Sequence, residues 1–158
     1  MKHTISLLVE NKFGVLARIA GLFSARGYNI TSLAVSETLD PSVSYMTIVV
    51  DASDENILEQ VKKQLNKLID TITVTDFTRK DHVDRELVLV KVGYAAKNKA
   101  QIAKVVKKHV AKVIWHKEKI AIIEAVGDRE QINNLLSSLD KFGIKELTRS
   151  GRLAIAYN

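Results

Sequence analysis

The chain has no cysteine, a single proline (Pro41), a single tryptophan (Trp115), and aromatic residues at only 6% of its 158 positions. Without cysteine there is no disulfide, no thiol nucleophile and no thiolate zinc site, a composition that fits a reducing compartment. The four histidines, His3, His82, His109 and His116, follow neither an HExxH nor a paired-ligand spacing, so no metal site is expected. No apolar run is long enough to span a bilayer, and the first residues pass directly into a strand pattern without a signal-peptide cleavage site. The expectation is a cytoplasmic protein with no membrane partner. Also missing are a GxSxG elbow, a P-loop, a dinucleotide glycine fingerprint and a clustered carboxylate pair, while Ser150 in TRSGR has no histidine near it in sequence. Independent catalysis is not expected.

What is present is patterned apolar residue, at 46% of the chain, enough for one core or two small ones. HTISLLV alternates Ile5, Leu7 and Val9 against Thr4, Ser6 and Leu8, the period of a strand with one buried face. Val15, Leu16, Ile19, Leu22 and Phe23 then recur at helical spacing, and Arg26-Gly27 supplies a cation and a stop. Two β-rich runs, YNITSLAVSET and VSYMTIVVD, are separated by LDPS, a turn signal. Ser53 is a plausible N-cap, Asp54 and Glu55 suit a first helical turn, and Ile57, Leu58, Val61, Leu65 and Leu68 form one stripe before the strand DTITVTDF.

The order βαββαβ fills residues 1–77 and then repeats. RELVLVKVG is a strand, NKAQIAKVVKKHV a helix, and KVIWHKEKIAIIEAVG two strands turning near Lys117 to Lys119. DREQINNLLSSLDKFG is a helix with Asp128 as cap and Gly143 as stop, and IKELTRSGRLAIAYN is strand broken at Ser150-Gly151. The polar stretch 78–85 reads as a linker, leaving 86–158 as a second domain. Right-handed βαβ crossovers make each unit a ferredoxin-like α+β sandwich with an antiparallel sheet. Helices cover one sheet face only, so the other face must be wet, covered by the sister domain or paired with another subunit. At least a dimer is expected.

Charge divides unevenly. Residues 1–80 carry nine Lys/Arg and nine Asp/Glu, and the rest fifteen against nine, so the whole net charge of +6 lies in the second half. In KNKAQIAKVVKKHVAK, Lys97, Lys104, Lys107, Lys108 and Lys112 are expected on one side of a helix, opposite Ile102, Val106 and Val110. Such a face is commonly just solvated; its functional reading is contact with an acidic protein. The element order also matches the RNA-recognition module, but its aromatic strand signature is missing, so no nucleic acid is expected.

The turn at VENKFGVLARIAG ties pattern to function. A glycine before a helix lets an anion approach unpaired backbone N–H groups, and Asn11 and Asn29 are amides able to accept from an ammonium or donate to a carboxylate. A small zwitterion would suit them, its apolar side chain lying against Val15, Leu33 or Val35. An ordinary turn, with Asn11 capping a helix, explains the same residues.

The string Glu10-Asn11, Gly14, Leu16-Ala17-Arg18, Gly21-Leu22-Phe23 and Arg26-Gly27-Tyr28-Asn29-Ile30, with MTIVV, LVLVKV and TRSG further on, resembles the small regulatory subunits of acetolactate synthase (acetohydroxyacid synthase). The resemblance covers nearly the whole chain. It implies an N-terminal ACT domain with effector-binding positions Asn11, Gly14, Val15, Leu16, Asn29 and Ile30, and an effector, typically valine, at the interface of an ACT homodimer. It also implies a large catalytic subunit as partner, with Arg149, Ser150 and Gly151 as contact positions, and with thiamine diphosphate, FAD and magnesium held by that partner rather than by this chain. An ACT-type amino-acid sensor acting on a different enzyme is the alternative. The chain departs from the family pattern at Ala17, where relatives often carry a small hydroxyl residue, and Lys12-Phe13 makes its turn bulkier and more basic.

Overall fold

The computed structural model describes residues 2–51, 55–78 and 80–157, and side chains in the second helix from Leu58 onward. The chain runs β1 (Lys2–Glu10), α1 (Val15–Ser24), β2 (Asn29–Glu37), β3 (Val43–Asp51), α2 (Glu55–Leu65) and β4 (Thr71–Asp76). It continues through β5 (His82–Gly93), α3 (Lys99–Lys108), β6 (Lys112–Lys117), β7 (Ile120–Gly127), α4 (Arg129–Asp140), β8 (Ile144–Arg149) and β9 (Leu153–Ala156). The first sheet is ordered β2-β3-β1-β4 and the second β6-β7-β5-β8, the same antiparallel pattern twice, as the repeated element order predicts. The strand β9 pairs with β5 off that path. No described helix is long and apolar enough to cross a membrane.

Alternation along β1 puts Ile5, Leu7 and Val9 into the first core, with Met46, Ile48 and Val50 of β3 beside them and Val15, Ile19 and Phe23 of α1 above. Leu58, Val61 and Leu65 close that core from α2, and Leu68 packs at its margin. The Ser53 cap and Asp54 lie outside the described residues, as do the side chains of Glu55 and Ile57. The second core joins Val88, Val90 and Val92 of β5 to Ile123 of β7, Ile102 of α3, and Ile132, Leu135 and Leu139 of α4.

Two helix ends follow the local chemistry read from the chain: Gly27 and Gly143 take left-handed backbone after α1 and α4. At the start of α4, Asp128 accepts from the Gln131 N–H at 2.8 Å while Gln131 accepts from the Asp128 N–H at 2.9 Å, a reciprocal capping box. Asp128→Ala removes one half of it and should cost about 1 kcal/mol. A urea titration that left the midpoint unmoved would show that α4 is held by packing alone.

The basic helix is shorter than its sequence pattern predicts. The helix α3 stops at Lys108 with His109 as C-cap, so Lys97 and Lys112 lie outside it. Val110 is not on its apolar face: it takes left-handed backbone, φ 53°, is 86% exposed, and turns the chain toward β6. The buried stripe is instead Ile102, with Val105 and Val106 at its edge.

By contact density the chain forms two units, residues 1–83 with 152–158, and residues 84–151. The strand β5 begins at His82, inside the stretch read as a linker, and the last seven residues group with the first unit. There residues 152–156 meet the sheet face away from the helices, where Thr4, Ser6 and Thr47 are buried. Tyr45 Oη donates to the Ala154 carbonyl at 2.7 Å, and Ile155 and Ala156 face Ser6, Thr73 and Thr75 across a cavity of about 190 Å³. One open sheet face is thus partly covered by residues 152–156 of the same chain.

Candidate functional site

The turn after β1 is braced from both sides. The Glu10 N–H donates to the Asp70 carbonyl at 2.9 Å and the Asn11 N–H to the Ser42 carbonyl at 2.7 Å. The Asn11 side chain donates through Nδ2 to the Pro41 carbonyl at 2.8 Å, so its amide ties the site to the β2–β3 turn and does not cap α1. That second turn is itself ordered by Asp40, whose carboxylate accepts from Ser42 Oγ and the Ser42 N–H; these bonds hold its pKa below the usual carboxylate value. Arg18 of α1 pairs with the Asp70 carboxylate, joining the helix to the same corner. Lys12 is matched by Glu10 at 2.6 Å, an exposed pair worth little to stability.

Gly14 is the N-cap of α1 at φ 82°, with no side-chain cap and no acidic residue in the first helical turn. A Cβ at this position would meet nothing within 4 Å. The backbone conformation, not crowding, is therefore what selects glycine. The first turn of a helix has N–H groups with no intrahelical partner, and here neither a cap nor a carboxylate within the turn offsets their positive end. The corner can accept an anion.

Its surroundings are apolar and open. Val15 turns its side chain into the core at 4% exposure and offers the corner backbone alone, whereas Leu16 faces outward. Phe13 and Leu39 are fully exposed at this end of the sheet, and Val35 is exposed on β2. Leu39 is an addition that sequence reasoning missed, since turn residues show no periodicity to mark them, whereas the sequence itself marks Phe13 as making the turn bulkier.

Asn29 and Ile30 are not near this corner. Along β3, Asn29 stands opposite Asp51, which stands opposite Lys2, while Glu37 stands opposite Ser44, which stands opposite Val9. Asn29 therefore lies at the far end of the sheet, about 26 Å along the strand from the turn at a rise of about 3.3 Å per residue. Its strand, β2, is an edge of the sheet.

Arg149, Ser150 and Gly151 bind their own chain. Arg149 forks onto the Glu86 carboxylate, with Nε to Oε2 at 3.2 Å and a shorter Nη2 contact to Oε1. Ser150 closes two bonds with Leu87: its N–H donates to the Leu87 carbonyl and its Oγ accepts from the Leu87 N–H, both at 3.0 Å. Among the described residues, no group of three His, Asp or Glu side chains is placed to hold a metal ion.

Residues 5–73 match the family described as AHAS small subunit-like ACT domain, and residues 85–158 the family described as small subunit of acetolactate synthase. The probable acetolactate synthase small subunit of Archaeoglobus fulgidus is 44% identical over 155 residues, covering 98% of this chain and 96% of that protein. The acetolactate synthase small subunit of Mycolicibacterium smegmatis is 45% identical, covering 98% of this chain and 90% of its own. Among solved structures, the acetolactate synthase small subunit from Thermotoga maritima aligns with a TM-score of 0.89 at 34% identity, covering 100% of this chain and 98% of that one. The chain belongs to the acetolactate synthase small (regulatory) subunit family, with an ACT domain of that type over residues 5–73.

Proposed function

We infer that this chain senses a branched-chain amino acid, valine foremost, across a homodimer of its ACT domains, and that it thereby stimulates the large catalytic subunit and subjects it to feedback inhibition. The observation that carries the reading is the separation of the two halves of the effector site. Asn11 to Leu16 sit at one end of the first sheet and Asn29-Ile30 at the other, joined by an edge strand. Two copies paired antiparallel along β2 about a two-fold axis would bring Asn29 of each to the Gly14 turn of the other. Two equivalent sites would result.

Magnitudes favour the paired form. An exposed helix end attracts a carboxylate by about 0.3–1 kcal/mol, whereas a millimolar dissociation constant needs about 4.1 kcal/mol. Enclosure closes the gap, because a buried valine side chain contributes about 1.5–3 kcal/mol and each hydrogen bond to a charged group about 1.5–3. In this proposal Gly14 and the first turn of α1 hold the carboxylate, Asn29 of the second copy holds the ammonium, and Leu16, Ile30 and the exposed apolar residues near the turn enclose the side chain. Thiamine diphosphate, FAD and magnesium belong to the catalytic subunit.

Mass measurement in solution, run alongside calorimetric titration with valine, tests this. A mass of two chains with saturable binding of one valine per chain is expected. A monomer that binds valine with undiminished affinity would sink the shared site.

A further inference from the structure

Arg152, the first residue after Gly151, is tied to the first unit by its backbone and its side chain. Its backbone N–H donates to Ser32 Oγ at 2.8 Å, and its guanidinium donates from Nη1 to Thr4 Oγ1 at 2.9 Å. Two residues on, the Ala154 carbonyl accepts from Tyr45. The segment is therefore fastened to β2, β1 and β3, three neighbouring strands of the first unit.

Ser32 is a sensitive place to be held. In β2 the register steps from Ile30 opposite Val50 to Ser32 opposite Val49, which leaves Thr31 as an extra residue whose Oγ1 donates to the Val49 carbonyl at 3.2 Å. Such a bulge interrupts the ladder locally and bends the strand, so the direction of the Asn29-Ile30 end depends on how the backbone at Thr31 and Ser32 is held. Asn29 and Ile30 lie on one side of it, and the residue fixed by Arg152 is the first paired residue on the other side.

Arg152 is also where the chain enters the first unit from the second. Immediately before it, Gly151 takes φ 83°, a conformation in which other residues are strained. Ser150 is bonded at two points to Leu87, and Arg149 is forked onto Glu86. Displacement of Ser32 therefore bears on a short, firmly anchored piece of backbone.

The geometry points to Arg152 as a coupling residue: by clamping Ser32 beyond the bulge, it transmits occupancy of the Asn29-Ile30 end of β2 to the second unit. It acts through Ser32 and Thr4 and touches no effector. The inference rests on the effector-site reading above and adds to it the route of regulation. A ligand shifts an equilibrium only through its differential affinity for two arrangements, so a broken clamp removes the coupling while leaving the binding site intact.

The test compares wild type, Arg152→Ala, Arg152→Lys and Ser32→Ala in two assays: calorimetric titration of the small subunit with valine, and valine inhibition of the enzyme reconstituted with its catalytic subunit. Expected are valine dissociation constants within about threefold of wild type, but a ratio of uninhibited to valine-saturated rate about tenfold smaller in Arg152→Ala and Ser32→Ala, the range of a typical coupling term. Arg152→Lys, which keeps a cation in reach of Thr4, should fall between. Ser32→Ala deletes a single oxygen and serves if Arg152→Ala does not fold. Wild-type binding together with a wild-type extent of inhibition at saturating valine in both alanine variants overturns the coupling role alone. Binding lost in proportion to inhibition also overturns it, by making Arg152 part of the site's support. A wild type that binds no valine, alone or reconstituted, overturns the effector-site reading and this inference together.

Discussion

Gly14→Asp should weaken valine binding by about a hundredfold and abolish inhibition at valine concentrations that saturate the wild type. The substitution sets a carboxylate on the N-terminus of α1, where it takes the place of the ligand's own. Losing the helix-end attraction costs about 1–2 kcal/mol in a partly buried geometry, and like-charge repulsion adds a comparable amount, together about the 2.7 kcal/mol of a hundredfold change. Backbone strain is a competing explanation, since Gly14 sits at φ 82°. Gly14→Asn separates the two: asparagine, like aspartate, tolerates left-handed backbone, and it carries no charge. Near-normal valine binding in Gly14→Asn with loss in Gly14→Asp places the ligand carboxylate at this helix end. Equal binding by the two variants would move the site elsewhere.

The second large effect is on stability. Phe23 is 0% exposed in the first core, and Phe23→Ala should cost about 3–5 kcal/mol through lost burial and a residual cavity. That is a large part of the roughly 5–15 kcal/mol by which a domain is stable, so the first unit should be largely unfolded near 37 °C. Trp115, the single tryptophan, lies on β6 of the second unit and reports that unit alone. In a urea titration followed by circular dichroism and by Trp115 fluorescence, the variant should lose part of its dichroism early while the fluorescence transition stays near the wild-type midpoint. A Phe23→Ala protein within about 1 kcal/mol of wild type would contradict the burial and cavity account of this core.

Much of the architecture was legible because it rests on neighbours in sequence. The two-residue alternation of Ile5, Leu7 and Val9, the helical recurrence of Val15, Ile19 and Phe23, and the Asp128 cap each act within a few residues, and the structure has all of them in place. The element order, met twice, was enough to reach two ferredoxin-like sandwiches. Reading failed where an element's fate depends on distant partners. Val110 keeps the helical spacing of Ile102 and Val106, but α3 has already ended and the chain must turn toward β6. LAIA has the same alternation whichever surface it joins, and its membership of the first unit depends on Ser32, Thr4 and Tyr45, more than a hundred residues away.

The proposed effector positions divide in the same way. By itself the sequence determined which residue types stand at the Asn11–Leu16 turn and at Asn29-Ile30, and that glycine precedes α1. Only the tertiary structure decided that Asn11 spends a side-chain N–H on Pro41, that Val15 faces inward while Leu16 faces out, and that the Asn11–Leu16 turn and Asn29-Ile30 lie at opposite ends of the first sheet. The physical reason is that side-chain periodicity reports burial within an element, whereas strand register and long-range hydrogen bonds set where the elements' ends meet.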